Sequence, residues 1–448
     1  MTTIEARKVK LNPFAASARM RSDPLGLMAQ LKREYGDLVL VVDLPNLKSY
    51  AVFSPEIAYE ILVHQADRFE KPALGKKMME SSFGNGIFFS DGDFWRRQRK
   101  LAQPAFYHTR LSTYVADMRQ RIDDLLTRWQ SLSEVEIDKE MHALTLVIVV
   151  NALFKTDVSG LTERVGKAMN ELGTAVGDQS KSILDSILPN WVPTPINRRK
   201  QRAVDVINPI LYKMIADHRA AGDDQGDLLS ALMQVQDEET GERMSDQQVR
   251  DELMTMFIAG HETSALALTW ALIELARHPD AEASLRAEVD SVLAGRLPTA
   301  DDLPNLPYTA MVIKEALRLY PPASFISRQP AGNIDFMGVK LPKLAVITIM
   351  PYIIHRDPRW FEHPDEFMPE RFAGEFEKQL PKCAYMPFGT GPRICIGNGF
   401  AMLEMQLVLA AIIQRYQVSM TPGQPEIKPV LGLTLGFEHS VKMTIKKR

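Results

Sequence analysis

The apolar residues of this chain recur every three or four positions over long stretches, and elsewhere they form short β-branched or aromatic runs. The three- and four-residue spacing predicts helices near 112–131, 142–153, 161–177, 205–219, 246–277, 279–294, 308–319 and 399–416. Runs at 38–42 and 50–53, separated by the turn-prone Leu44-Pro45-Asn46, predict an early hairpin. Strand-like runs return only at 344–354, 431–435 and 441–445. The pattern therefore predicts a mainly α fold with small peripheral β-sheets.

No internal repeat, low-complexity segment or flexible linker interrupts this pattern. Pro189, Pro193 and Pro195 precede Arg198-Arg199-Lys200 and predict an ordered loop between helices that is too short to separate domains. We therefore expect a single domain over residues 1–448, of which residues 1–30 form an N-terminal extension.

Composition and charge exclude several classes of function. Of 448 residues, 45% are hydrophobic and 24% are charged, and 53 basic against 56 acidic residues leave a net charge of −3. A chain so nearly neutral carries no overall field that would attract nucleic acid or an anionic membrane surface. The presence of only two cysteines, Cys383 and Cys395, excludes a disulfide framework and zinc sites built on several thiolates.

The start of the chain bears on location. Its first residues lack the apolar core of a signal peptide, and no later stretch keeps ~18 apolar residues free of charge. The sequence thus predicts a cytoplasmic protein without an integral membrane anchor.

The segment Phe388-Gly389-Thr390-Gly391-Pro392-Arg393-Ile394-Cys395-Ile396-Gly397 places three glycines around a scarce thiol, just before an apolar helix. Glycines let the backbone adopt positive φ and pass close to a flat cofactor. Free N–H groups at the start of the next helix lower the pKa of a nearby thiol and so favour a thiolate, which can hold iron. A buried, inert cysteine in a tight turn is the alternative.

This loop resembles the haem-ligating loop of the cytochrome P450 superfamily of haem-thiolate monooxygenases. The resemblance implies the P450 fold, with haem b buried between the long distal helix and the helix that follows the cysteine loop. It also implies that Cys395 is the axial ligand of the iron, that Phe388 and Gly389 border the haem on the sulfur side, and that Arg393 reaches a haem propionate. A thiolate ligand favours cleavage of the O–O bond. Cys383 lies outside the motif and is predicted to be an ordinary thiol.

The run Ala259-Gly260-His261-Glu262-Thr263 lies inside the predicted helix 246–277. A mid-helix glycine costs about 1 kcal/mol relative to alanine, so we expect Gly260 to leave space for a small molecule against the helix. Thr263 can return its hydroxyl to the Ala259 carbonyl and bend the helix. By the resemblance, Ala259 and Gly260 border the haem, and Glu262 and Thr263 relay protons to the cosubstrate O₂. His261 is not needed for this relay, and a solvent-facing Glu262 is the alternative.

Glu315 and Arg318 are three residues apart and so share one helix face, where they can pair. The string alone is uninformative, but Pro321-Pro322 ends the helix soon afterwards and Pro369-Glu370-Arg371-Phe372 follows, as in the family. The resemblance implies a buried cluster of Glu315, Arg318 and Arg371 that supports the cysteine loop.

The resemblance also implies which residues bind the haem propionates and the electron donor. Trp95 and Arg99, four apart on a short helix, and Arg328 are expected to bind propionates; a packed Trp beside a surface Arg is the alternative. The cations Arg96, Arg97 and Lys100 could receive an acidic electron-transfer protein, or they could be a solvated face. We expect no fused reductase, so electrons from NAD(P)H arrive through a separate ferredoxin or flavodoxin-type donor and its reductase.

Four segments are expected, by the same resemblance, to contact the substrate. They contribute Ile87, Phe88, Met256, Ala259, Ala323, Phe325, Ile326, Leu433 and Leu435. Burying apolar ligand surface gains about 25 cal/mol per Å², so this lining favours fatty acids, terpenoids or similar molecules. Each of these residues could equally belong to the ordinary core.

The resemblance therefore implies an oxidoreductase, expected to be a monomer, that activates O₂ to hydroxylate or epoxidise a hydrophobic small molecule. Two alternatives stay open: a peroxide-driven haem peroxygenase and a non-catalytic haem-based binding or sensing protein. Peroxide use would fit better if Glu262 and Thr263 were absent.

Overall fold

Helices make up most of the structure, a computed structural model that describes residues 4–9, 13–45, 47–154, 159–182, 185, 188–237 and 241–448. Asn46 of the predicted hairpin turn and parts of the predicted N-terminal extension lie outside the described residues. The chain divides into two compact units. Unit 1 comprises Met1–Ala73, Lys314–Cys395 and Lys428–Glu438, and unit 2 comprises Leu74–Ile313, Ile396–Ile427 and His439–Arg448. The single domain expected from the sequence stays a prediction.

Every helix predicted from the apolar spacing is present. The longer described helices are Pro13–Ser22, Pro24–Tyr35, Ala73–Phe83, Gly92–Ala102, Val115–Arg128, Ile137–Phe154, Ser159–Lys181, Pro195–Ala221, Asp246–Arg277, Pro279–Leu293, Pro307–Leu319 and Asn398–Arg415. Shorter ones are Pro55–Tyr59, His108–Leu111, Leu228–Gln234, Pro351–Ile354 and Phe376–Gln379. The sequence did not predict several shorter helices, such as Pro24–Tyr35. Tertiary packing contributes more to the stability of such short helices than their intrinsic helix propensity does.

The predicted loop after Pro189 ends earlier than expected. Thr194 caps a helix because its hydroxyl accepts a hydrogen bond from the Asn197 N–H, and Pro195 occupies the first helical position. The basic run 198–200 therefore lies in the first turns of the helix Pro195–Ala221 and not in the loop.

A six-stranded sheet organises unit 1. Its strands, in spatial order, are Arg7–Lys8, Leu38–Leu44, Leu47–Val52, Val346–Ile349, Ile326–Pro330 and Phe69–Glu70. The predicted hairpin is confirmed: its two strands pair antiparallel from Leu38 opposite Val52 to Leu44 opposite Leu47. Buried aliphatic residues on this sheet, including Val52 and Ile349, form a core with the helix that begins at Pro55.

Two of the strands predicted in the C-terminal third of the chain differ from those in the structure. In the run 344–354, only Val346–Ile349 is a strand, because Pro351 starts a helical turn. The run 431–435 is mostly a turn that joins the antiparallel strands Pro429–Leu431 and Leu435–Phe437, with the Gly432 N–H donating to the Thr434 carbonyl. Strands return at more places than predicted, since the structure also contains the hairpin of Ile334–Phe336 and Val339–Leu341.

Unit 2 is built around the helix Asp246–Arg277, called the long helix below, which packs along Ile137–Phe154 and also contacts Asn398–Arg415, the C-terminal helix. Ser245 starts the long helix with a capping box: its hydroxyl accepts from the Gln248 N–H, and the Gln248 side chain accepts from the Ser245 N–H. A three-stranded sheet of Tyr416–Met420, Lys442–Lys447 and Glu134–Glu136 completes the unit and confirms the strand predicted at 441–445.

Among the described helices, the long helix alone has the length and apolar character needed to cross a membrane. However, 72% of its most apolar window is buried inside the protein. A core helix of a water-soluble protein has the same two properties, so the finding is weak evidence for a membrane span.

A buried charge cluster holds together several segments of unit 1. Arg318 is fully buried, and two of its nitrogens donate to the two carboxylate oxygens of Glu315 at 2.7 and 2.8 Å. Its remaining hydrogen bonds go to the carbonyls of His355 at 2.8 Å, Pro364 at 2.6 Å and Glu366 at 3.0 Å. Arg371 approaches Glu315 at 3.4 Å and donates to the Glu362 carbonyl at 2.5 Å. The three charges predicted to cluster are thus in contact.

A second buried ionisable group lies between the C-terminal helix and the long helix. Glu404 is fully buried, and neither of its carboxyl oxygens has a hydrogen bond of good geometry to a described residue. Burial raises the pKa of the Glu404 carboxyl to about 8, and the neighbouring Ser264 hydroxyl only partly opposes this shift. Glu404 is therefore mostly protonated at neutral pH.

We expect Arg318→Ala to lower the free energy of unfolding by about 3–5 kcal/mol, because it strips a buried carboxylate of its main partner. Arg318→Lys should also destabilise, since an ammonium group cannot span the same acceptors. The matched control is Arg415→Ala, which breaks a partly exposed pair with Asp123 and should cost only about 0–1 kcal/mol. Thermal unfolding and haem content per chain measure the effect. Soluble Arg318→Ala protein with wild-type stability would contradict the role of the cluster.

The raised pKa of Glu404 predicts a pH-dependent stability. The folded state keeps a proton on this carboxyl from the unfolded-state pKa near 4.5 up to about 8, so its contribution to stability falls as pH rises through that window, by up to about 1.4 kcal/mol per pH unit. Glu404→Gln removes this titration. The wild type should therefore lose stability between pH 6 and 8 while the variant does not. As a result, the difference in melting temperature, variant minus wild type, should increase with pH over this range. Glu362→Gln, which changes a carboxylate that is 90% exposed, serves as the control and should show no such trend. An unchanged difference for Glu404→Gln would refute the shifted pKa.

Candidate cofactor and substrate site

The cysteine loop of unit 1 is a tight reversal of the backbone. Gly389 and Gly391 have φ of 69° and 68°, in the left-handed region that glycine adopts without strain. A Cβ on Gly391 would lie 2.2 Å from the Leu62 carbonyl oxygen, so no other residue fits there. The Cys395 N–H donates to the Phe388 carbonyl at 2.9 Å and closes the loop.

The two cysteines lie in opposite environments, and neither forms a disulfide. Cys383 is buried, and this burial raises the pKa of its thiol to about 11, so it stays neutral. Cys395 is exposed at the end of the loop. Of the two sulfurs, Cys395 is therefore the one that a ligand can reach.

His355, which the sequence reading did not single out, connects the charge cluster to the cysteine loop. Its Nε2 accepts the Met386 N–H at 2.9 Å, and its Nδ1 donates to the Arg318 carbonyl at 3.3 Å. The Met386 carbonyl in turn accepts the Gly389 N–H at 3.0 Å. Burial, with the nearby Arg318 charge, lowers the pKa of His355 to about 3, so the ring is neutral, as these hydrogen bonds require. No local spacing could have linked residues 318, 355 and 386.

The donor chemistry of the loop fits haem. Among the described residues, no three His, Cys, Asp or Glu side chains come together to hold a metal ion. An exposed single sulfur donor suits a metal whose other ligands come from a macrocycle. The positive φ of Gly389 and Gly391 lets the backbone turn tightly just before this cysteine.

Residues in the middle of the long helix, in unit 2, are accessible, whereas the residues on either side of them are buried. Ala259 is exposed and Ile258, Gly260, Glu262 and Thr263 are half-buried, whereas residues 251–257 and 264–275 are buried. We call residues 258–263 the window. The Thr263 hydroxyl donates to the Ala259 carbonyl at 2.7 Å, as the spacing predicted. The window thus combines an apolar surface with a hydroxyl and a carboxylate.

Two residues of the window serve helix packing. A Cβ on Gly260 would lie 2.8 Å from Cγ2 of Val149. The absent side chain therefore makes room for the helix Ile137–Phe154. The role of Gly260 toward a small molecule stays a prediction. His261 is buried on the same side: its Nδ1 donates to the Phe257 carbonyl at 2.6 Å, and the Thr145 hydroxyl donates to the His261 carbonyl at 2.9 Å. Burial lowers the pKa of His261 and keeps it neutral.

The residues predicted to bind the propionates are distributed over both units. Trp95 is buried and Arg99 half-buried on the helix Gly92–Ala102 of unit 2. Arg328 lies on the strand Ile326–Pro330 of unit 1, where it donates to the Ser327 carbonyl at 2.9 Å. Arg393 ends a short helical turn two residues before Cys395. Their roles at the propionates stay predictions.

The cations predicted to receive an electron donor are partly engaged within unit 2. Arg96 pairs with Asp93, and Arg97 pairs with Glu242 at 2.7 Å. Lys100 is exposed. These ion pairs favour the reading of Arg96 and Arg97 as a solvated face over a ready docking site.

The predicted substrate residues differ in exposure. Within unit 2, Phe88 and Ala259 are exposed, while Ile87 and Met256 are buried. Within unit 1 the exposed residues are Ala323 and Leu433, the half-buried ones are Phe325 and Ile326, and Leu435 is fully buried. Leu435 is thus a core residue, and its N–H donates to the Pro322 carbonyl at 3.0 Å.

Comparison with known proteins gives consistent matches over nearly the whole chain. The family model described as Cytochrome P450 matches residues 14–439. The chain is 39% identical over 428 residues to "Cyclooctatin synthase" of Streptomyces melanosporofaciens, covering 95% of this chain and 92% of that protein. It is 32% identical to "Pentalenene oxygenase" of Streptomyces avermitilis, covering 96% and 94%.

A solved structure shows the same fold. The cytochrome P450DA heme domain superposes with a TM-score of 0.87 at 24% identity, covering 100% of this chain and 99% of that one. A family match over nearly the whole chain, together with relatives above 30% identity over nine-tenths of their length, establishes the relationship. The chain belongs to the cytochrome P450 family and is a haem-dependent monooxygenase.

Proposed function

We propose that this monooxygenase oxidises a terpenoid-type hydrocarbon or alcohol. The observation that carries the proposal is the window of the long helix, where exposed Ala259 stands one turn from the Thr263 hydroxyl and beside Glu262. An apolar surface binds a lipophilic molecule, and the adjacent polar pair can move protons. The relatives named for cyclooctatin and pentalenene act on terpenoid-type molecules, which narrows the apolar class.

Haem bound through a thiolate supplies the electron-transfer and oxygen chemistry of such a reaction. In the proposed site Cys395 provides the thiolate, and Phe388 and Gly389 border the sulfur. Trp95, Arg99, Arg328 and Arg393 offer only hydrogen-bond donors, which suits the propionate carboxylates. In the net reaction one oxygen atom of O₂ enters the substrate and the other leaves as water, with two electrons and two protons consumed.

Thr263 is proposed to pass protons at its Oγ1 atom. Because its own proton is donated to the Ala259 carbonyl at 2.7 Å, the lone pairs of Oγ1 face outward as acceptors. A proton donor at the window can therefore be bound and oriented by this oxygen. Glu262, half-buried next to it, is proposed to take up protons from solvent and hand them on.

Electrons are proposed to come from NAD(P)H through a separate ferredoxin or flavodoxin-type protein and its reductase, in the cytoplasm. Since Arg96 and Arg97 already have carboxylate partners, an acidic donor would compete with Asp93 and Glu242 for them. Docking at this face would therefore weaken with salt.

Reconstitution tests the proposed function. With ferredoxin, reductase and NAD(P)H, we expect terpenoids to give products that carry one added oxygen atom, and fatty acids of similar size to give far less. Cys395→Ser should abolish product and also the strongly red-shifted Soret band of the reduced carbon monoxide complex, because a hydroxyl does not replace the thiolate. Cys383→Ala is the matched control and should retain both.

Several outcomes would overturn parts of this proposal. Products from fatty acids but not from terpenoids would refute the substrate class. Product formation that needs only hydrogen peroxide and not O₂ would refute the electron-driven reaction. A red-shifted band that survives Cys395→Ser would refute the assigned ligand.

Thr263→Ala should uncouple electron use from oxygenation, because the positioned proton acceptor is lost. We expect the ratio of product to NAD(P)H consumed to fall about tenfold or more, since positioned proton-transfer groups contribute about 10²–10⁴-fold. The lost electrons should appear as hydrogen peroxide, while the haem spectrum stays unchanged. Thr269→Ala is a matched control, because Thr269 makes the same bond to the Ala265 carbonyl at 2.8 Å but is fully buried. Equal coupling in both variants would show that Thr263 does not act on protons.

A further inference from the structure

The start of the long helix holds a neighbouring backbone segment through two buried carboxylates. Glu252 is fully buried, and its two carboxylate oxygens lie 3.0 and 3.1 Å from the Ile87 nitrogen, whose N–H they accept. Asp251, 7% exposed, accepts the Asn85 N–H at 2.9 Å. A carboxyl oxygen of either residue can accept a backbone N–H. The N–H groups of Asn85 and Ile87 are therefore hydrogen-bonded to the consecutive helix residues Asp251 and Glu252.

Two glycines allow this close approach. Gly84 has φ of 80°, and a Cβ there would lie 2.0 Å from an Asp251 carboxylate oxygen. A Cβ on Gly86 would lie 2.3 Å from the Thr255 hydroxyl oxygen and 2.6 Å from the Asp251 carbonyl oxygen. The backbone of residues 84–87 thus lies directly on the helix surface, where a side chain would push it away. Together with Phe88 and Phe89 these residues are called the 84–89 segment.

Arg250 extends the contact to two further elements. Its Nη1 donates to Asp251 at 3.0 Å, its Nη2 donates to the Ser82 carbonyl at 3.2 Å, and its Nε donates to the Asn208 side chain at 2.8 Å. Arg250 is only 5% exposed, so these bonds form in a largely water-free environment. The helix Ala73–Phe83, the helix Pro195–Ala221 and the long helix are thereby joined at one guanidinium.

The contacts determine where the side chains of the 84–89 segment point. Phe89 stacks on Phe83 with ring centres 5.8 Å apart, and Phe88 meets Phe89 edge to face at 4.8 Å, leaving Phe88 54% exposed. On the long helix, Glu252 is four residues before Met256 and seven before Ala259, so the three share one face. The carboxylate that holds Ile87 thus lies in line with the window.

We propose that Glu252 and Asp251 are specificity-determining positioning residues, which hold the 84–89 segment in one place and thereby set the shape of the apolar surface offered to the substrate. Neither residue touches the reacting atoms in this role. The part of the proposal that concerns substrates rests on the proposed function, whereas the part that concerns the segment does not.

Two variants of Glu252 separate the reach of the side chain from its carboxyl group. Glu252→Asp keeps the carboxyl group but shortens the side chain, so it does not reach the Ile87 amide, and Glu252→Gln keeps the length but replaces the carboxyl group with an amide. Glu274→Gln is the matched control, because Glu274 is also buried on the long helix but pairs with Arg277 at 2.9 Å. Hydrogen exchange of the haem-loaded protein measures how well the backbone amides of the 84–89 segment are protected. The spin-state shift of the ferric haem measures the binding of small and large terpenoids.

We expect Glu252→Asp to raise the exchange rate of the Ile87 amide about tenfold, because the hydrogen bond is lost, and Glu252→Gln to raise it less, because its side-chain oxygen still accepts the N–H. The ratio of dissociation constants for a large and a small terpenoid should change by a similar factor, and the distribution of oxidation products should change with it. The carbon monoxide spectrum should stay as in the wild type, and Glu274→Gln should alter none of the readouts for the segment.

Three results would overturn the proposal. The first is an Ile87 amide that exchanges in the wild type as fast as an unprotected amide, a measurement that needs no variant. The second is unchanged exchange in both Glu252 variants. The third is faster exchange with unchanged ligand ratios and products, which would show that the segment does not set specificity. If the wild type itself binds no terpenoid, the proposed function fails, and hydrogen exchange still decides whether Glu252 holds the segment.

Discussion

The buried guanidinium of Arg318 is the interaction on which the arrangement of unit 1 depends. A fully buried positive charge is tolerated only when its donors are satisfied, and here Glu315 and three backbone carbonyls supply the acceptors. The Arg318 carbonyl also receives the hydrogen bond from His355, which holds Met386 at the start of the cysteine loop. The buried charge of Arg318 therefore supports the position of the proposed thiolate indirectly, through His355 and Met386, rather than by contacting the cysteine loop.

The long helix shows how polar groups are used inside a buried element. Asp251 and Glu252 accept backbone amides of the 84–89 segment, Thr269 returns its hydroxyl to its own helix in a fully buried place, and Thr263 makes the same bond where the helix is open. Identical local chemistry thus has different consequences, because only the hydroxyl at the window can be reached by another molecule.

Much of the fold and part of the site could be predicted from local spacing. The apolar period located the helices, and the back-bond of Thr263 to Ala259 and the pairing of Glu315 with Arg318 follow from positions four and three residues apart on a helix. Strand predictions failed where prolines or turns intervened, as at Pro351 and Gly432. The packing of Gly260 against Val149 was not predicted, because Val149 is more than a hundred residues away in the chain.

The sequence by itself determined the family, the cysteine loop and the acid–alcohol pair, since each is a local pattern of residue types whose geometry follows from helix and turn periodicity. Only the tertiary structure decided that His355 joins residues 318 and 386, that Glu252 holds Ile87, and that Glu404 is buried without a good partner. Such contacts join distant segments, and their strength depends on the removal of water, which a linear pattern of residues does not encode.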